Sequence, residues 1–356
     1  MKILIVNTSD IEGGAARAAY RLHRSLLAQG IDSQMLVQKK SSDDYSVETI
    51  SKTKLQKAFS LIRPTLDALP LRAYKNRTKT LFSPSSMGFS SIVDAINEIN
   101  PDIVHFHWIN GGMIKIEEIA YINAPIVWSL HDMWAFTGGC HYNEECGAYE
   151  KECGSCKVLG SSKENDLSRK IFNRKVKTFE KKENMTIIGL SKWLYECAKD
   201  STLLKDKKHV NLPNPIDTTI FKLFDKVKAR ELWSLPQDKK LVLFGAMGAT
   251  SDPRKGFKQL SEAMKKFSKS SDIEFVVFGS SEPQNASDFG FKTYYLGTLA
   301  DDVSLVTLYS AVDVMVVPSL QENLSNAIME SLSCGTPVVG FDIGGNSDMK
   351  IGRAHV

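Results

Sequence analysis

The sequence predicts an α/β chain of two doubly wound parallel-sheet domains facing a cleft, and three observations carry that prediction. Short apolar runs alternate with amphipathic segments, the pattern of strands and crossover helices in sheets covered on both faces. The series meets the proline-flanked stretch "HVNLPNPID" and then restarts at "KLVLFGA". The length, 356 residues, suits two domains. The expected division is a first domain over 1–213, a linker over 214–224 and a second domain over 225–356. Composition is ordinary for a globular chain, 42% apolar and 24% charged, which excludes disordered and collagen-like classes. A net charge of +4 makes no case for nucleic acid. No apolar run has the length of a membrane span, and the first is too short for a secretory signal. The sequence therefore reads as cytoplasmic.

Taken in order, "KILIV" is a buried strand and "GGAARAAYRLHRSLLAQG" the helix after it, with Gly30 as its stop. "DSQMLVQ" is a second strand. Residues 51–80 hold eight Lys/Arg and one Asp, broken by Pro64 and Pro70. "SSIVDAINEINPDIVHFHW" reads as helix then strand, and "APIVWSLHD" as a strand ending at His131. A cysteine-rich loop and a basic helix near 163–182 follow, then the strand "MTIIGLS" and the short helix "KWLYECAKDS". In the second domain "KLVLFGA", "IEFVVFG", "TYYLGTL", "VDVMVVPS" and "TPVVGFD" are strands. Helices fall at "KGFKQLSEAMKKFSK", near 302–311 and over 324–334. Ligands of such sheets bind beyond the carboxyl ends of the strands.

Several motifs sit at those ends. Gly13 and Gly14 separate the first strand from its helix, where glycine admits a close ligand and the helix N-terminus attracts anions; the plain alternative is a tight turn. The spacing is not G-x-G-x-x-G, and "MLVQKK" puts no acid at the end of strand two. Both facts argue against a nicotinamide or flavin. Arg254 and Lys255 precede Gly256 and a helix, as two cations for a diphosphate or as a solvated basic loop. The chain has no D-x-D pair, so a diphosphate would be balanced by protein cations rather than by a carboxylate-held metal. His131 and Asp132 end a strand, as reacting groups or as satisfied structural residues. Glu322 and Glu330 lie a little over two helical turns apart, as a hydroxyl-gripping pair or as a cap plus an exposed helix glutamate. Asn323, Leu324 and Ser325, at the start of the same helix, offer backbone donors.

From "GGAARAA" through "SLHDMWAFTGGCHY", "NPID" and "RKG" to "ENLSNAIMESLSCGTPVVGFDIGG", the chain resembles the large retaining glycosyltransferase family of GT-B architecture, with two facing Rossmann-like domains. It is most similar to the family-4 branch that builds bacterial capsule, exopolysaccharide and O-antigen sugars. The resemblance implies a hexosyltransferase that moves a sugar from a nucleotide-diphosphate donor to a saccharide or lipid-linked saccharide, with retention and without a cofactor for catalysis. It implies that Glu322 holds donor-sugar hydroxyls, Glu330 the nucleotide ribose, and Arg254 and Lys255 the diphosphate. Gly14, with Gly13 beside it, approaches the phosphates, His131 lies over the donor sugar, and Asn323, Leu324 and Ser325 give backbone donors. "NPID" departs from the usual N-G-[VI]-D. A nucleotide-sugar epimerase of the same fold and a non-catalytic sugar-nucleotide-binding module are the alternatives.

Cys140, Cys146, Cys153 and Cys156 form C-x5-C-x6-C-x2-C within the loop 138–160, which suits a structural zinc; packed reduced thiols are the alternative, and His141 is a possible substitute ligand. The basic stretches 51–80 and 163–182 suit peripheral contact with an anionic membrane. Beyond "GGNSD" the family continues, whereas this chain ends in "IGRAHV", six residues that a common sequencing adapter would encode in frame. A truncated second domain is therefore expected.

Overall fold

The computed structural model describes residues 1–88, 91–245, 252–266, 272–279, 290–299 and 301–349. The chain divides into two compact units, Met1–Asn214 and Pro215–Val356. Among the described residues of the first unit, seven parallel strands form one sheet. They are β1 (Lys2–Ser9), β2 (Asp32–Lys39), β3 (Val47–Thr49), β4 (Ile103–Phe106), β5 (Ile126–Leu130), β6 (Met185–Gly189) and β7 (Lys208–Asn211), in the order β3-β2-β1-β4-β5-β6-β7. The helices are α1 (Gly14–Ala28), α2 (Lys54–Asp67), α3 (Ile92–Ile99), α4 (Leu167–Lys181) and α5 (Lys192–Asp200). Leu4, Ile5 and Val6 of β1 are buried, which explains why this strand reads as an unbroken apolar run. The order reverses between β1 and β4, so the crevice for a ligand lies past the carboxyl ends of those two strands.

Pro64 does not break the basic stretch but lies inside α2. A proline there leaves the carbonyl four residues earlier without its helical partner. Gln38 Nε2 donates to that carbonyl, Ser60 O, at 3.4 Å. Thr53 and Gln56 form a capping box at the start of the helix, which strengthens its first turn.

The second unit holds five parallel strands among its described residues: β8 (Lys240–Gly245), β9 (Ile273–Phe278), β10 (Thr293–Tyr295), β11 (Val314–Val317) and β12 (Val338–Gly340), ordered β10-β9-β8-β11-β12. Its helices are α6 (Lys226–Leu232), α7 (Phe257–Met264), α8 (Asp302–Ala311) and α9 (Asn326–Ser333). Here the reversal falls between β8 and β11. Phe221 is buried in this unit's core, and Ser333 Oγ donates to its carbonyl at 2.6 Å. The stretch after Asn214 is thus bound to the second unit rather than standing apart. The expected α/β class of two doubly wound parallel sheets is what the structure shows. The tail 351–356 lies outside the described residues.

Candidate active site

In the second unit, the site is built at the reversal. Gly256 has φ +72°, and a Cβ placed on it would stand 1.7 Å from Pro318 O. Only glycine lets the turn Pro253–Lys255 lie this close to the chain leaving β11. Leu320 N–H then donates to Arg254 O at 2.7 Å. This seam brings Lys255 to Glu322, whose Oε2 accepts from Lys255 Nζ at 2.6 Å. Arg254 turns to Asp252, with Nη2 to Oδ2 at 2.7 Å. Both cations expected for a diphosphate therefore stand together, each held by a carboxylate.

As expected, Glu322 stands before the helix, which begins at Asn326, so helical spacing does not relate it to Glu330. Ser325 is the N-cap of α9, and its Oγ accepts from Ile328 N–H at 3.4 Å. Asn323, Leu324 and Ser325 are all buried. Glu330 is not an exposed helix glutamate. It is 4% exposed, and its Oε2 accepts from the Tyr309 hydroxyl at 2.8 Å.

In the first unit, Gly13 caps α1 with φ +98° and no side-chain cap, and the first turn has no acidic residue. The positive end of the helix dipole therefore faces the crevice unneutralised by its own side chains. Gly14 is the first residue of that helix.

His131 follows β5 and meets His107, which follows β4: His107 Nδ1 and His131 Nε2 are 2.8 Å apart. Beside them Asp132 Oδ2 takes His141 Nδ1 at 2.6 Å and Trp108 Nε1–H at 3.1 Å. Its Oδ1 takes Trp134 N–H at 2.8 Å. Burial pushes the Asp132 carboxyl up, but His141 and these donors outweigh it and hold the pKa below the usual carboxylate value. His141 Nε2 lies 2.8 Å from Ser83 Oγ, so both its ring nitrogens have hydrogen-bond partners here. His107 and Trp108 were missing from the expected site. The alternation in "HFHW" carried a signal, because histidines two apart share one face of a strand.

Burial lowers the pKa of His131 to about 4, with Asp132 opposing, and that of His105 to about 4. A histidine unfolds into water with a pKa near 6.5. Below that value the unfolded chain binds protons that the folded chain refuses. The stability these rings contribute is thus complete above about pH 6.5 and is lost as pH falls toward about 4. Melting temperature is expected to drop over this range, and the drop should shrink in His105→Gln, which keeps a partner for Ser129 Oγ, 2.9 Å from His105 Nε2.

Residues 238–354 match the profile of the family described as glycosyl transferases group 1. Over 356 aligned residues the chain is 23% identical to WcaC of Escherichia coli, named for colanic acid biosynthesis, covering 95% of this chain and 82% of that one. Two solved structures share the fold along nearly the whole chain. WaaG, a glycosyltransferase involved in lipopolysaccharide biosynthesis, gives a TM-score of 0.62 at 15% identity, over 97% of this chain and 82% of its own. HepE of Anabaena, in complex with UDP-glucose, gives 0.58 at 15% identity, over 98% and 82%. Residues 238–354 of the second unit thus carry the group 1 glycosyltransferase profile, and the chain has the GT-B fold of these structures.

The chain carries its cysteine loop in the first unit. Cys140, Cys146, Cys153 and Cys156 line one cavity with Thr137, Gly138 and Tyr149. None is in a disulfide. Gly138 N–H donates to Cys153 Sγ at 3.1 Å, and the backbone of Leu159 and Val158 donates to Cys156. Even so, burial pushes the Cys153 thiol up to about 12. Among the described residues no three cysteine, histidine or carboxylate side chains form a group that could hold a metal. The zinc expected from spacing has a shared cavity in its favour but no closed ligand set. Lys175 spans this region. It is fully buried, donates to Trp134 O and to Thr137 O, and lies 3.7 Å above the Trp134 ring.

Proposed function

We propose that the chain is a glycosyltransferase that moves a sugar, with retention, from a nucleotide-diphosphate donor to a saccharide or lipid-linked saccharide in cell-surface polysaccharide synthesis. The observation that carries the reading is the Lys255–Glu322 pair, set with Arg254 beside the start of α9. In this reading the pair sets a cation for the leaving diphosphate beside a carboxylate for sugar hydroxyls. Charge on the leaving group is the main thing such a reaction must stabilise. Arg254, Lys255 and the backbone at 323–325 supply that stabilisation, Glu322 grips donor hydroxyls, Glu330 the ribose, Gly13 and Gly14 lie near the phosphates, and His131 meets the donor sugar. In this reading no D-x-D-bound metal takes part, and the departing phosphate helps deprotonate the acceptor. The named role of WcaC and the UDP-glucose bound to HepE support the polysaccharide and donor assignments. The test is a donor-hydrolysis screen of the full chain across nucleotide sugars. Hydrolysis of at least one, with the anomeric configuration retained, is expected; isomer formation without an acceptor would instead indicate an epimerase.

The reading includes peripheral contact with an anionic membrane at the cytoplasmic face. Among the described residues no helix is long and apolar enough to cross a membrane. α2 exposes Leu55, Leu61 and Ile62 at 84%, 69% and 52%, among the exposed cations Lys52, Lys54 and Lys57. Such a face suits the surface of anionic lipid. The second basic stretch is partly structural, since Lys175 and Lys182 are buried and Lys182 Nζ donates to Ile122 O and Ala124 O at 2.6 and 2.9 Å. Leu61→Ser with Ile62→Ser is expected to weaken co-sedimentation with anionic vesicles by about tenfold or more. Binding that ignores both the substitution and the lipid charge would remove the assignment.

A structural zinc on Cys140, Cys146, Cys153 and Cys156 also belongs to the reading. What supports it is that all four cysteines line one cavity; a bound metal would have to offset the burial that keeps these thiols protonated. Purified full chain is expected to carry one zinc, and a chelator to lower its melting temperature. Absence of zinc with all four thiols open to alkylation would leave a loop of packed reduced thiols.

A further inference from the structure

We propose that His107 is a positioning residue that holds His131 in the Nδ1–H tautomer, so that His131 meets the donor sugar as a hydrogen-bond donor and not as a general base. The proposal rests on the reading that His131 faces the donor, and adds what that ring can do there.

The argument begins with one shared hydrogen. His107 Nδ1 and His131 Nε2 stand 2.8 Å apart, and a neutral imidazole has one donor and one acceptor nitrogen. Two arrangements follow. In the first, His107 Nδ1–H donates to His131 Nε2. His131 then carries its hydrogen on Nδ1, and His107 Nε2 is a bare lone pair. In the second, His131 Nε2–H donates to His107 Nδ1. His131 Nδ1 is then a bare acceptor able to take a proton, and His107 carries an N–H on Nε2.

The surroundings of His107 choose between them. The residue is 3% exposed, and its Nε2 is buried without a hydrogen-bond partner among the described residues. The second arrangement would bury an N–H there with nothing to receive it. Orphaned buried N–H groups are rarer in proteins than under-satisfied acceptors, so the first arrangement is favoured. Both the chain at His107 and the face of its ring are held. Its backbone N–H donates to Val6 O at 3.1 Å, its carbonyl accepts from Trp128 Nε1–H at 3.1 Å, and its face stacks on His105 at 4.7 Å between centroids. Burial keeps both His107 and His131 below the usual histidine pKa, consistent with two neutral rings sharing one hydrogen.

The chemical consequence is a division of labour. With Nε2 taken by His107, the remaining position of His131 is Nδ1–H, which can donate to an oxygen of the bound sugar and cannot accept the acceptor's proton. Deprotonation of the acceptor is then left to the departing phosphate.

The experiment is long-range 1H–15N NMR of the full chain labelled with 15N-histidine, at neutral pH and without ligand, with His131→Gln and His107→Leu used for assignment. The expected spectrum shows His131 protonated at Nδ1 and bare at Nε2, and His107 likewise. His131 protonated at Nε2 would overturn the proposal. The spectrum needs no donor and no turnover, so its outcome is separate from that of the transferase reading. Kinetics give a second readout. His107→Asn places an amide N–H where Nδ1–H stood and should keep kcat near that of the natural chain. His107→Leu should lower kcat about tenfold, the worth of one hydrogen bond, and leave His131 a mixture of tautomers. Equal losses in Asn and Leu variants that fold alike would also count against it.

Discussion

Lys255→Ala is expected to lower kcat on the order of 10²–10³-fold, the usual effect of removing one group that stabilises developing charge in a dry site. The physical ground is its position. Lys255 Nζ lies 2.6 Å from Glu322 Oε2, and the lysine and glutamate side chains are 22% and 12% exposed. The substitution removes the cation and leaves a largely buried carboxylate unpaired, so donor affinity should fall as well. Lys255→Arg keeps the charge with a different shape and should recover part of the loss. Steady-state kinetics with the donor found by hydrolysis, together with the melting temperature of each variant, separates chemistry from stability. A variant that turns over nearly as fast as the natural chain would mean that Lys255 does not hold the diphosphate.

Gly256→Ala should be the most damaging methyl group added to the second unit. Two costs add. A non-glycine residue at φ +72° costs about 1–2 kcal/mol from the left-handed backbone alone. The new Cβ would also stand 1.7 Å from Pro318 O and 2.6 Å from Pro318 C, a collision with backbone that no rotamer relieves. The turn must move away, which breaks the Leu320–Arg254 seam and draws Lys255 from Glu322. A stability loss above about 2 kcal/mol is expected, with activity lost alongside it. Gly297→Ala is the internal control. Gly297 has φ +67°, and its Cβ would meet nothing within 4 Å, so only the backbone cost should appear. Equal melting temperatures for the two variants would show that the close approach at Gly256 is not what fixes the turn.

Much of the fold was legible because both sheets are parallel and doubly covered. Their strands read as apolar runs such as "KILIV" and "IEFVVF", and helices alternate with them. What escaped was set by contacts far apart in sequence. Pro64 looks like a break until Gln38 is seen to take the carbonyl that the proline leaves bare. The three residues of β3 are too few to show a period, and they pair only because β2 offers an edge. At the site, Lys255 and Glu322 were each visible as residue types at strand ends, but their pairing spans 67 positions and depends on one glycine. The burial of Glu330 under Tyr309 likewise follows from packing of α8 on α9, which no local spacing reveals. His107 was readable as a strand-end histidine. Its partner on the neighbouring strand was not, because strand order is not written locally.

The central claim is that the Lys255–Glu322 pair exists to hold an activated sugar by its pyrophosphate and its alcohols. Titration calorimetry of the full chain against a panel of nucleotide-diphosphate sugars tests it most directly. The expected result is saturable one-to-one binding of at least one of them, weakened tenfold or more, on the order of one charged contact, by Lys255→Ala and by Glu322→Gln. A folded chain that takes up none of these compounds, or binds one equally well with both residues replaced, would contradict the account.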